Sequence, residues 1–167
     1  MIIWKKGNLF TSTANVLVNT INCEGAMGKG IALEFKKRYP DMYNQYKIWC
    51  KTYHPKGGDL FWWPKLKFEE KIHTVCKSFV ETEQKPINII LNFATKESWR
   101  NKSKIEWIEI GLKNFVDVVN IDKLHIIDTV AFPKLGCNNG GLDWENQVKP
   151  LMIKYLEPLN ITIEIYE

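Results

Sequence analysis

Long apolar runs are missing from this sequence. None approaches the roughly 20 residues that a bilayer-spanning helix needs, and Met1-Ile2-Ile3-Trp4-Lys5-Lys6 lacks the apolar core of a secretory leader. The N-terminus therefore reads as a short strand. Cysteine is scarce: four residues, at 23, 50, 76 and 137, with no close pair and no Cys/His ligand spacing. That argues against a disulfide framework and against a metal site, and it predicts free thiols in a reducing, cytoplasmic setting. Low-complexity tracts are absent, and the three histidines have no recognisable partners. The net charge of +4 is small, so it permits a nucleic-acid partner without demanding one.

What is present is a chain of 167 residues, 45% hydrophobic, long enough for one domain over 1–167 with a real core. Apolar runs at 2–4, 15–21, 59–63, 87–93, 124–132 and 161–166 read as strands. Between them, helices are predicted over 31–39, 41–52, 103–120 and 144–156. The first stops before Pro40, the third opens on a capping box, Ser103 with Glu106, and the last is capped by Asp143. On the third, Ile105, Ile108, Leu112, Phe115, Val116 and Val119 form the inward stripe. Residues 64–86 follow neither period and read as an insertion. Strands alternating with helices predict an α/β fold, a three-layer α/β/α sandwich around a central mixed sheet.

The central strand, Asn15 to Ile21, runs into a glycine-rich loop, Gly25-Ala26-Met27-Gly28-Lys29-Gly30, which opens the first helix. Helix-start amides and the helix dipole favour an anion there. The loop is neither a dinucleotide fingerprint nor a Walker loop, because the glycine spacing is wrong and Lys29 is followed by Gly30 rather than Ser or Thr. A second strand-end loop, Pro133 to Gly141, repeats the logic. Two such loops suggest a ligand with two phosphates, held at the carboxyl ends of the strands.

Asn19-Thr20-Ile21-Asn22 with Met27 to Ala32, Asn92 to Lys96 with Trp99-Arg100, and Gly136-Cys137 with Gly140 to Trp144 resemble the ordered motifs of macrodomains, most of all those of DNA ADP-ribosyl glycohydrolases. The resemblance implies an ADP-ribose ligand, an ADP-ribosylated single-stranded DNA substrate (thymidine-linked), no cofactor, no metal and a cognate ADP-ribosyltransferase toxin as partner. It implies contacts with the ligand from Asn8, Leu9, Thr20, Asn22, Gly28, Lys29, Gly30, Ile31 and Thr95. The second loop adds Leu135, Gly136, Cys137, Asn138, Asn139, Gly140 and Gly141. Lys96 and Asn22 are the implied catalytic residues, and Trp99 and Arg100 the implied nucleic-acid contacts. Asn8 stands where relatives carry an aspartate for the adenine amino group, and Gly140 stands where protein-directed relatives carry an acid. The second departure favours DNA. A protein ADP-ribosyl glycohydrolase, a non-catalytic ADP-ribose reader and an ADP-ribose 1″-phosphate phosphatase are the competing expectations.

Overall fold

A computed structural model describes residues 1–64, 89–122 and 125–167. The insertion expected at 64–86 lies, beyond Pro64, outside the described residues. The strands are β1 (Ile2–Lys5), β2 (Val16–Ile21), β3 (Leu60–Trp63), β4 (Ile89–Ala94), β5 (Thr129–Pro133) and β6 (Thr162–Tyr166). They form a sheet in the order β1-β6-β5-β2-β4-β3. Only the β3–β4 pairing is antiparallel among the described strands. Helices α1 (Gly30–Arg38) and α2 (Pro40–Tyr53) cover one face; α3 (Ile105–Ile121) and α4 (Lys149–Leu156) cover the other.

The two-residue period of the strands sorts the apolar side chains between these layers. Val16 and Val18 join Leu91, Phe93, Val130 and Phe132 under α3 and α4. Leu17 and Ile21 join Ile90, Ala94 and Ala131 under α1 and α2, against Phe35, Tyr46 and Trp49. Both faces of β2 and β4 are thus covered, which is why their sequences are nearly continuous in apolar residues. Their fully buried polar residues are matched across the ladder. Asn19 pairs with Asn92, its Nδ2 donating to the partner's Oδ1 at 2.8 Å.

Two local expectations are corrected. The capping box at Ser103 does not form: α3 starts after Lys104, and the Ser103 hydroxyl is buried without a hydrogen-bond partner among the described residues. The reason is tertiary. The Ser103 amide donates to the Gly140 carbonyl at 2.9 Å, which turns the side chain inward beneath the second glycine loop. The strand expected from 124 begins only at Thr129. Asp122 ties down residues 125–127, its carbonyl accepting from His125 N and its Oδ2 from Ile127 N at 2.7 Å. Asp143 does cap its helix, accepting from Asn146 N at 3.0 Å, though the first turn (Trp144–Val148) is wound as a π-helix.

Candidate active site

β5, β2 and β4 are neighbours in the sheet, so the loops leaving their carboxyl ends meet. The loop after β2 is folded around Asn22. Its Oδ1 accepts from the amides of Glu24 at 2.9 Å and Ala26 at 3.3 Å, and its Nδ2 donates to the Ala26 carbonyl at 2.6 Å. From behind, the buried Tyr46 hydroxyl donates to the Asn22 carbonyl at 2.6 Å. The Lys29 cap position supplies no side-chain hydrogen bond, so the first amides of α1 stay open toward the site. Gly30 sits at φ +59 there, and a Cβ on it would lie 2.8 Å from Asn139 Nδ2. The two glycine loops therefore touch at Gly30 and Asn139.

The loop after β5 is tied internally by Gly141 N to the Cys137 carbonyl at 2.9 Å and Leu142 N to the Gly136 carbonyl at 3.1 Å. The Cys137 amide closes on the Lys134 carbonyl at 3.4 Å. The loop after β4 carries Lys96. Its Nζ donates to the Asn139 carbonyl, so the lysine reaches across to the second glycine loop. Partial burial lowers its pKa from the ordinary lysine value. Burial pushes the thiols the other way, Cys23 to about 12 and Cys137 to about 11, so neither is a thiolate nucleophile at neutral pH.

A cavity of about 680 Å³ opens between the three loops. It is lined by Thr20, Asn22, Gly28, Lys29, Gly30, Ile31, Thr95, Lys96, Trp99 and residues 136–140. A second cavity of about 460 Å³ carries Asn8 and Leu9, together with Phe10 and Arg38, whose guanidinium lies 4.4 Å over the Phe10 ring. Ile31, Pro133, Lys134 and Asn138 line both. The structure thus brings most of the expected residues into one two-chambered cleft, of a size that suits an elongated dinucleotide-like ligand. Leu135 is fully buried and supports its loop from below, and Gly141 turns toward the Lys102 stem. Arg100 lies outside the lining and stacks its guanidinium 4.2 Å over the Trp99 ring.

Sequence reasoning missed Lys134, Tyr46 and Arg38. The signal for Lys134 was present, since it follows β5 directly. Tyr46 and Arg38 reach the site only through the packing of α1 and α2.

A mixed sheet carrying two glycine loops on adjacent strand ends, with a two-chambered cleft between them, is a macrodomain. Residues 18–151 match the Macro domain family, and the chain belongs to it. The DNA ADP-ribosyl glycohydrolase of Mycobacterium tuberculosis is 36% identical over 99% of the chain, which spans 42% of that relative. The macrodomain of Thermus aquaticus DarG superposes with a TM-score of 0.80 at 33% identity, covering 100% of this chain and 98% of that one. Thermosipho africanus DarTG, solved in complex with ADP-ribose, superposes at 0.77 with 33% identity, covering 98% of this chain and 41% of that one.

Proposed function

We propose that this chain removes ADP-ribose from ADP-ribosylated, thymidine-linked DNA, as a DNA ADP-ribosyl glycohydrolase. One domain over 1–167 carries the activity. The two glycine loops hold the diphosphate, the Asn8 chamber takes the adenine, and the Lys96 chamber takes the distal ribose. Asn22 keeps its loop closed and offers its remaining Nδ2 hydrogen to that ribose. The neutral form of the Lys96 amine adds to the anomeric carbon as the bond to the base nitrogen breaks, and the base leaves with the proton the amine sheds; water then displaces the amine and returns a proton to it. The reaction consumes only water, with no cofactor. Trp99, at the mouth of the ribose chamber, stacks on a base, and Arg100 meets a phosphate. A DNA-modifying ADP-ribosyltransferase is the partner whose product this activity would clear. The protein works in the cytoplasm, in keeping with the free thiols of Cys23, Cys50 and Cys137. Among the described residues no helix is long and apolar enough to cross a membrane.

One observation carries this reading: Lys96 projects into the cleft between the loops as an amine of lowered basicity. The test is release of free ADP-ribose from an oligonucleotide carrying ADP-ribosylated thymidine, with wild type beside Lys96→Ala. Wild type should release it. The variant should lose at least about a hundredfold in rate, the ordinary scale of a removed catalytic group, while binding free ADP-ribose with little change. Release from modified protein but not DNA, binding without turnover, or phosphate release from ADP-ribose 1″-phosphate would each replace the proposal with the corresponding alternative.

A further inference from the structure

The rim beyond Trp99 carries a pattern that the cleft itself does not use. Arg100 closes a turn and Asn101 a bend; from there residues 102–104 lead to α3, Lys104 in extended form (φ −117, ψ 141), and burial alternates: Lys102 exposed, Ser103 buried, Lys104 exposed. Ser103 is held inward by its amide bond to Gly140. Lys102 and Lys104 are therefore forced onto the same outer side, about 7 Å apart along the backbone. The Lys102 stem lies along Gly141 of the second glycine loop, where an added Cβ would stand 3.7 Å from its Cδ. Lys104 Nζ lies 4.8 Å over the ring of Trp107, which in turn covers Gly57. Trp99 at the cavity mouth is 54% exposed.

Among the described residues, none of Arg100, Lys102 and Lys104 forms an ion pair. Glu24, the acid beside Trp99, accepts from the Trp99 amide at 3.3 Å. The basic end of α1 differs in one respect: Lys37 pairs with Glu34, whereas Lys36 and Arg38, like Lys104 and Arg100, lie over aromatic rings.

We infer that the strip Trp99–Arg100–Lys102–Lys104–Trp107 is the track on which the DNA strand flanking the modified nucleotide lies. Cations without carboxylate partners, flanked by tryptophan rings, are the chemistry that a single strand takes up, by phosphate neutralisation and base stacking. A single strand is favoured over a duplex because the track begins with a base platform at the cavity mouth. The inference rests on the DNA reading above and adds to it a direction: the strand leaves the cleft past the second glycine loop toward the start of α3.

The test compares wild type with the double variant Lys102→Gln/Lys104→Gln, and with Lys36→Gln/Lys37→Gln as a control that removes equal charge. Two substrates are used, an ADP-ribosylated thymidine mononucleotide and a single-stranded 20-mer modified at one thymidine. For the 20-mer, the Lys102/Lys104 variant should raise KM about tenfold at low salt. It should also flatten the dependence of log(kcat/KM) on log[salt] by about 1.4, since each phosphate contact on a single strand contributes about 0.7. The mononucleotide rates should be unchanged, and the control should match wild type on both substrates. Equal effects from the two variants, or an unchanged salt slope, would overturn the track. Failure of the wild type to act on either DNA substrate would overturn the DNA reading itself, and the track with it.

Discussion

Gly140→Ala is the substitution whose effect follows most directly from the geometry. Gly140 is not in the left-handed region, so any L-residue could adopt its backbone angles. The obstacle is space: a Cβ there would lie 2.1 Å from the Gly136 carbonyl oxygen and 2.3 Å from Ser103 Oγ. Real Cβ contacts stay beyond 3.0 Å, so the loop must open by about 1 Å. The Ser103 side chain could yield, but the Gly136 carbonyl is backbone, held by Leu142 N at 3.1 Å. The neighbouring Asn139 carbonyl receives Lys96 and its side chain meets Gly30, so the same displacement disturbs the lysine and both glycine loops. Overpacking of this kind costs about 1–3 kcal/mol, equivalent to roughly 2–4 °C of Tm per kcal/mol for a chain of this size. A 1 Å misplacement of catalytic groups costs on the order of a hundredfold in rate. Isothermal titration with ADP-ribose, a melting curve and the oligonucleotide release assay together check this. The expected result is a fall in Tm of roughly 2–12 °C, ADP-ribose affinity weakened at least tenfold and turnover reduced about a hundredfold. Adding Ser103→Ala should not restore binding, because the clash with the Gly136 carbonyl remains. Binding within threefold of wild type in Gly140→Ala, or full rescue by Ser103→Ala, would refute the reasoning.

Three further outcomes are expected. If the neutral amine of Lys96 is the reacting species, kcat/KM should rise with pH as it deprotonates, then level off below the ordinary lysine pKa of about 10.4, because burial lowers its own value; a residual rate in Lys96→Ala that follows the same profile would assign the titration to another group. Asn8 Oδ1 already accepts from Phe10 N at 3.0 Å, so Asn8→Asp supplies a second, charged acceptor and should tighten ADP-ribose about fivefold, the roughly 1 kcal/mol between neutral and charge-assisted hydrogen bonds. Ribose 5-phosphate, which lacks adenine, should bind both proteins equally, and a parallel gain for it would exclude an adenine contact. Gly111→Ala gains about 1 kcal/mol of helix propensity, yet its Cβ would stand 2.2 Å from Phe93 Cζ in the core, so overpacking outweighs the gain and urea unfolding should show a net loss of up to about 2 kcal/mol.

The strands that build the site were legible from residues 15–21 and 87–93, because a strand covered on both faces leaves a near-continuous apolar run that a helix-period pattern cannot mimic. The glycine loops were legible for a related reason, since few other residues tolerate such close approach. Ser103 shows where local patterns fail. Ser-x-x-Glu has the same letters whether the serine caps a helix or turns beneath a loop 37 residues further on, and only the contact with Gly140 decides. The segment ahead of β5 fails likewise, as Ile126 and Ile127 look like strand residues until Asp122 captures the Ile127 amide. The place of Asn22 on the cleft wall was legible, but its part in closing its own loop through Ala26 and Tyr46 was not.

The pairing of Val16 with Val130 has a consequence for how the protein is made. A chain leaving the ribosome exposes its first glycine loop early, yet the surfaces that complete the cleft, Asn139 against Gly30 and the Asn139 carbonyl for Lys96, are about 110 residues away. At about 5–20 residues per second, that interval lasts roughly 5–20 s. Shortened translation products ending before residue 139 would lack the contact that joins the two halves of the cleft, so binding capacity arrives late in synthesis rather than growing in proportion to chain length.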